Sequence, residues 1–381
     1  MEMNSFQYIQ DKGWSVSKLP TELDSEQTIV FIFAAPLFID NQEPIKELAN
    51  GFKNSKIIGC SSSGEIFGAH ILDKSLSVVV VKFAKTPIRI VKAEVNNVKE
   101  SFNAGQQILE QLGKDGLRGV FVLSDGLRVN GSELVKGLNK DAMDNLVVTG
   151  GLAGDGSNFK KTWTIYNGEI LENHVVAIGF YGDHISIGHA SKGGWDIFGP
   201  MRRITHSVGN VLYELDNQPA LKLYKEYLGE RAADLPSSGL LYPLAISDLS
   251  AKEPVQLVRT ILAVDEKEQS LTFAGDVPVG FFAQLMRANF DRLISSASGA
   301  AENALIGMGN SDSPVLAISV SCVGRRLLLG ERTEEETEST LEVLPEGSTQ
   351  VGFYSYGEVS PSGLKDCELH NQTMTLTLLG E

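Results

Sequence analysis

The sequence predicts a mixed α/β (α+β) protein: two domains with mixed parallel and antiparallel sheets flanked by helices. Three observations carry this expectation. Short apolar runs rich in β-branched and aromatic residues, such as 28–34, recur along the chain. Amphipathic helical stretches alternate with several of these runs, as in βαβ units. Asn167-Gly168 and Gly182-Asp183 join others as hairpins, because such turns need residues that accept positive φ.

In chain order, a polar arm over 1–27 precedes a buried-type strand over 28–34. A helix carrying Ile45 and Leu48 follows Pro44, then a strand over 56–60. Strands over 76–83 and 88–95 flank Pro87, and a helix over 102–112 stops near Gly113. Strands over 119–123 and 146–149 bracket a helix near 132–140. An antiparallel meander runs from 162 to 190. The second half opens with a hairpin over 204–215 and a helix over 219–228, with Pro219 in its first turn and Gly229 after it. A strand over 255–264 and a helix over 282–297 come next, the latter with Phe282, Leu285, Met286, Phe290, Leu293, Ile294 and Ala297 on one stripe. A strand over 315–322, mostly helical 327–344, and strands over 351–356 and 373–379 complete the order. The domains are placed at 28–200 and 201–381.

Composition narrows the class. The 381 residues allow two or three domains at roughly 150 residues each. Hydrophobic residues reach 42% and charged ones 21%, enough apolar material for packed cores. The net charge of −15 repels phosphate backbones and anionic headgroups, so neither a nucleic acid nor a membrane is an expected partner. No apolar run approaches the roughly 20 residues of a membrane span, and no signal peptide is seen. Cys60, Cys322 and Cys367 are few, odd in number and far apart, which fits free thiols in a cytoplasmic setting.

Several motifs fail on their chemistry. Gly150-Gly-Leu-Ala-Gly-Asp-Gly156 follows a strand but lacks a Gly-Lys-Ser/Thr ending and the dinucleotide spacing, and Asp155 would repel phosphate. Gly59-Cys-Ser-Ser-Ser-Gly64 is not a Gly-x-Ser-x-Gly elbow. Cys367-Glu-Leu-His370 supplies two metal-type ligands where a structural zinc needs four. Gly64-Glu65-Ile66 and Gly357-Glu358-Val359 echo each other after strands, too faintly to establish duplication.

The residues that remain put polar groups on apolar strand faces. His370 shares its parity with Met374, Leu376 and Leu378, and His189 with Ile185 and Ile187. Arg259 interrupts Val255, Leu257 and Ile261; Arg325 and Arg326 follow Cys322 and Gly324. Buried arginines need a carboxylate, backbone acceptors or an anionic ligand. Trp195 beside two glycines, and Tyr354, Tyr356 and Glu358 around a glycine turn, are pocket-type residues. An internal ion pair, a satisfied core histidine or simple core filling is the competing account of each.

Family-level strings then come together. Ser321-Cys322-Val-Gly-Arg325, Gly352-Phe-Tyr-Ser-Tyr-Gly-Glu358 and Leu369-His370-Asn371-Gln-Thr373 resemble the FIST C domain. Ile58-Gly-Cys-Ser-Ser-Ser-Gly-Glu65, the 150–156 glycine string, and Gly209 to Asp216 with Pro219-Ala220 resemble the FIST N domain. The resemblance implies a cytoplasmic sensory module that binds a small-molecule ligand and signals to a separate protein. Some bacterial members are regarded as haem-based nitric-oxide sensors acting with a histidine kinase or a cyclic-di-GMP enzyme.

Three functions follow as expectations. The first is a non-catalytic sensor, of haem b or of a small anionic metabolite such as an amino acid, with His370 or His189 as axial ligand if haem binds. Its expected ligand-binding residues are His189, Trp195, Arg259, Cys322, Arg325, Tyr354, Tyr356, Glu358, His370 and Asn371. The second is a cysteine-dependent enzyme with Cys322 or Cys60 as nucleophile, in which Arg325 and Arg326 lower the pKa of Cys322. The third is an adaptor with no small ligand. The sequence leaves the oligomeric state open.

Overall fold

Three pairs of parallel strands organise the main body. The computed structural model describes all residues except 141, 144, 236, 250–255, 310–311 and 363–365. In it Thr28–Ala34 lies parallel to Lys56–Ser61, Leu117–Ser124 to Val147–Leu152, and Leu316–Cys322 to Thr349–Ser355. Each pair heads its own sheet. Beside the first strand of each pair runs an antiparallel one: Ser75–Lys82, His174–Tyr181 and Met374–Gly380. Beyond it lies another: Glu2–Ile9, Ile88–Glu94 and Ser186–Lys192.

The second strand of each pair then turns out of its sheet and joins the next. Glu65–Phe67 pairs with Thr349–Ser355, Gly357–Ser362 with Val147–Leu152, and Thr164–Tyr166 with Lys56–Ser61. The three repeats therefore close into a ring. Gly59, Gly150 and Gly352 mark equivalent points, where an added Cβ would strike the carbonyl oxygens of Ile32, Val122 and Ser319 on the facing strand. Lys74, Asn173 and Gln372, with φ of 56, 58 and 62°, make the same left-handed entry into the antiparallel strand. The echo between 64–66 and 357–359 is thus a structural repeat, which the second repeat obscures with a loop over 154–161 inserted between Gly150 and Thr164.

The described α-helices are α1 (Glu43–Gly51), α2 (Ser101–Leu112), α3 (Gly131–Lys140), α4 (Ala220–Leu228), α5 (Phe290–Gly307), α6 (Val323–Leu329) and α7 (Thr333–Leu341). The inner faces of the three sheets share one core that includes Phe31, Phe33, Phe121, Ile178, Ile318 and Phe353. The outer faces pack against α1 and the opening arm, against α2 and α3, and against α5. The arm is a working strand, with Phe6 fully buried.

Between Ser186–Lys192 and α5 a satellite lobe is inserted. Its antiparallel sheet runs in the order Gln256–Arg259, Leu244–Ser247, Phe282–Arg287, Asp196–Val208, Val211–Leu215, Ser270–Phe273, Ile261–Asp265. It packs on α4 around its own core. Strands from either side of residue 200 share sheets, because Ser186–Lys192 pairs with Met374–Gly380 and Val147–Leu152 with Gly357–Ser362.

Two local expectations change. The stripe from 282 to 297 is not one helix: Phe282–Arg287 is a strand between two neighbours, and α5 begins at Phe290 after Asn289 caps it by accepting the Arg292 N–H. A pattern that satisfies helical spacing across a boundary cannot show the break. The 255–264 run is two strands, Gln256–Arg259 and Ile261–Asp265, and Val255 lies outside the described residues.

Candidate functional site

A cavity of about 390 Å³ opens where the carboxyl ends of the second and third parallel pairs meet the satellite lobe. Strand carboxyl ends are where connecting loops gather and leave such crevices. The body contributes Leu127, Val129, Leu152, Cys322, Val323 and Tyr356; the lobe contributes Asn210, Leu240, Thr260, Leu262 and Phe273.

Local hydrogen bonds fix this wall. The Asp125 carboxylate accepts the backbone N–H groups of Leu127 at 2.8 Å and Arg128 at 2.7 Å, shaping the loop after Leu117–Ser124. Asp155 organises the inserted loop: it accepts the N–H groups of Phe159, Lys160 and Lys161 at 2.8–2.9 Å and the Tyr356 hydroxyl. The Phe159 and Tyr356 rings stack with centroids 4.6 Å apart and planes 13° off parallel. Thr260, also in the wall, has a buried hydroxyl with no partner. Among the described lining residues none is charged.

Cys322 lines this cavity, but its thiol is not activated. Burial, and then the nearby Glu358, push its pKa up. This reverses the expectation of a lowered pKa. Arg325 turns away to Glu336 instead, with Nε to Oε2 at 3.0 Å and both side chains fully buried. Its other nitrogens donate to the carbonyls of Gly193 and Leu293, and Ser321 completes the Glu336 carboxylate at 2.5 Å. Arg325 therefore holds α6, α7 and α5 together through an internal pair.

A second hollow, of about 270 Å³ and polar, brings Trp195 and His370 together with Ser191, Gln256 and Thr373. His370 places Nε2 3.1 Å from the Ser360 carbonyl, and burial pulls its pKa down to about 4. Glu358 lies behind Thr373, accepting its N–H and hydroxyl and the Ser355 hydroxyl; burial raises its pKa to about 8. His189 stands elsewhere, opposite Thr377, its Nδ1 unpartnered and its pKa lowered by burial. A haem needs an imidazole in an apolar cleft. Neither histidine lines the apolar cavity, and the hollow that His370 does line is polar, so these residues do not fit the group.

The two hollows flank a common partition. Val258 lines the polar one and Thr260 the apolar one, while Arg259 between them donates to the carbonyls of Asp276, Val258 and Leu369. Burial lowers its pKa to about 10. Asn371 donates to the His370 carbonyl at 3.0 Å, leaving Oδ1 unpaired; the buried Gln372 amide has no partner, although its carbonyl accepts the Trp195 indole at 2.9 Å. Tyr354 is fully buried, with the Arg326 guanidinium 5.8 Å from its ring.

The sequence reading thus reaches both walls of the partition but not Phe159, Thr260 or Asp155 as site residues. An aromatic set between Asn158 and Lys160 in a polar loop is the one signal that marks Phe159.

Family models match most of the chain: the FIST N domain over residues 28–218 and the FIST C domain over 220–361. An uncharacterized protein of Methanocaldococcus jannaschii is similar, 23% identical over 363 residues that cover 87% of this chain. The chain spans 65% of the length of that relative. Among the described residues no helix is long and apolar enough to cross a membrane, and no cluster of three or more His, Cys, Asp or Glu is set to hold a metal.

Proposed function

The chain belongs to the FIST family, and from that premise we propose that it senses a small molecule in the cavity of about 390 Å³ between body and satellite lobe. FIST domains are associated with small-ligand sensing in signal transduction. The observation that carries the reading is the division of the wall: one ligand there touches both the strand ends of the body and the strands of the lobe. Occupancy then biases the position of one against the other, which is what a sensor must do. The raised pKa of Cys322 argues against thiolate catalysis at the same place. The output passes in the cytoplasm to a separate signalling protein, with a histidine kinase the first partner to test.

The test is extraction of the purified protein followed by mass spectrometry and thermal-shift screening, on wild type and on Leu262→Trp. Leu262 lines the cavity yet is 44% exposed, so a larger side chain fills the lumen without disturbing a core. Ligand-dependent stabilisation lost in the variant supports the site. Ligands retained equally by both proteins would place binding elsewhere.

A further inference from the structure

Resting on that reading of the site, we propose that its ligand is an uncharged, flat, largely apolar molecule with one hydrogen-bonding group, in the size range of a two-ring aromatic alcohol.

Charge is the first constraint. The described lining carries no Lys, Arg, His, Asp or Glu. An ion entering such a wall sheds its water and meets no counter-charge. Two buried ionic groups beside the wall are already committed. Arg259 is spent on three backbone carbonyls, and the Asp155 carboxylate on three N–H groups and the Tyr356 hydroxyl.

Shape is the second. Phe159 and Tyr356 belong to the wall as a near-parallel stack, and aromatic faces select flat partners. Phe159 holds a φ of 51°, unusual for an aromatic residue, and is 48% exposed. The Asp155 clamp holds that conformation from within the loop, and the ring lies on Tyr356 at the cavity. Strain retained in this way is characteristic of ligand clamps. The loop is also an insertion peculiar to the second repeat, absent at the matching turns 62–64 and 355–357.

Polarity and size complete the description. Thr260 supplies the unpaired hydroxyl of the wall, so a ligand hydroxyl or carbonyl gains a partner there. An apolar cavity of about 150 Å³ holds benzene; about 390 Å³ leaves room for a second ring.

Calorimetric titration of the full chain with 2-naphthol, naphthalene and 2-naphthoate tests the assignment. We expect 2-naphthol to bind and 2-naphthoate to bind at least about tenfold more weakly. Thr260→Val weakens 2-naphthol about tenfold and leaves naphthalene unchanged, the loss expected for one hydrogen bond. Phe159→Ala weakens both neutral probes. If 2-naphthoate binds as tightly as 2-naphthol and Leu262→Trp removes it, the neutral class is wrong while the cavity stands as the site. Wild-type protein that binds no probe, or binding that Leu262→Trp leaves untouched, removes the cavity reading and the class with it.

Discussion

Glu65 and Glu358 stand at the same ladder position in two of the three repeats and meet matching partners. Glu65 Oε2 accepts the Ser75 N–H at 3.2 Å and its hydroxyl at 2.8 Å; Glu358 Oε2 accepts the Thr373 N–H at 3.2 Å and its hydroxyl at 2.9 Å. Each carboxyl ties the crossing strand of its repeat to the residue after a left-handed turn, Lys74 or Gln372.

These two groups set a pH dependence. Burial raises both pKa values from 4.5 to about 8. A carboxyl that keeps its proton longer in the folded chain stabilises the fold fully below its unfolded pKa and loses that contribution as pH climbs through the folded one. His370, lowered from 6.5 to about 4, acts in the opposite direction, its contribution lost as pH falls through that range. From pH 6.5 upward only the carboxyls of these three groups still titrate, so stability should fall toward pH 8, with each contributing up to about 1.4 kcal/mol per pH unit. Urea midpoints across this range measure it. The double variant Glu65→Gln/Glu358→Gln should flatten the curve, and an unchanged slope would refute the assignment.

The ring of repeats depends on three absent side chains. Gly59→Ala, Gly150→Ala and Gly352→Ala each drive a methyl into a carbonyl of the paired strand, at a cost of about 3 kcal/mol or more. Gly307→Ala, near the end of α5, where an added Cβ meets only the Gly188 Cα at an ordinary 3.9 Å, should be neutral or stabilising by up to about 1 kcal/mol. Denaturation midpoints showing equal effects at all four sites would contradict the packing described.

Breaking the Arg325–Glu336 pair should be severe. Arg325→Met leaves a carboxylate fully buried with only Ser321 to answer it, which costs about 3–5 kcal/mol. Adding Glu336→Gln should recover part of that loss. A double variant less stable than the single one would show that the two side chains do not act as a pair.

The three thiols are buried and all have raised pKa values. Ellman's reagent at pH 7.5 should therefore label the native protein far more slowly than the urea-unfolded chain. Rapid native labelling of Cys322 would revive a nucleophilic role.

Much of the element order was legible because the central strands of the body, such as Thr28–Ala34 and Leu316–Cys322, are short, largely apolar runs, and such a run reports burial on both faces whatever lies opposite. The same property hid the topology. A strand buried on both sides carries no mark of its neighbour, so nothing local says that Glu65–Phe67 leaves the sheet of Lys56–Ser61 for that of Thr349–Ser355.

The sequence by itself determined that this is a mixed α/β chain of the FIST kind, with buried basic and imidazole groups in its second half. Only the tertiary structure decided what those groups face. Arg325 meets a carboxylate and Arg259 meets carbonyls, while Phe159 and Thr260, plain residues in the sequence, come to line the apolar cavity between body and lobe. The physical reason is that burial is written in side-chain polarity, residue by residue. Whether a buried polar group is answered by the protein or left for a ligand depends on partners more than a hundred residues away, as Leu369 is from Arg259.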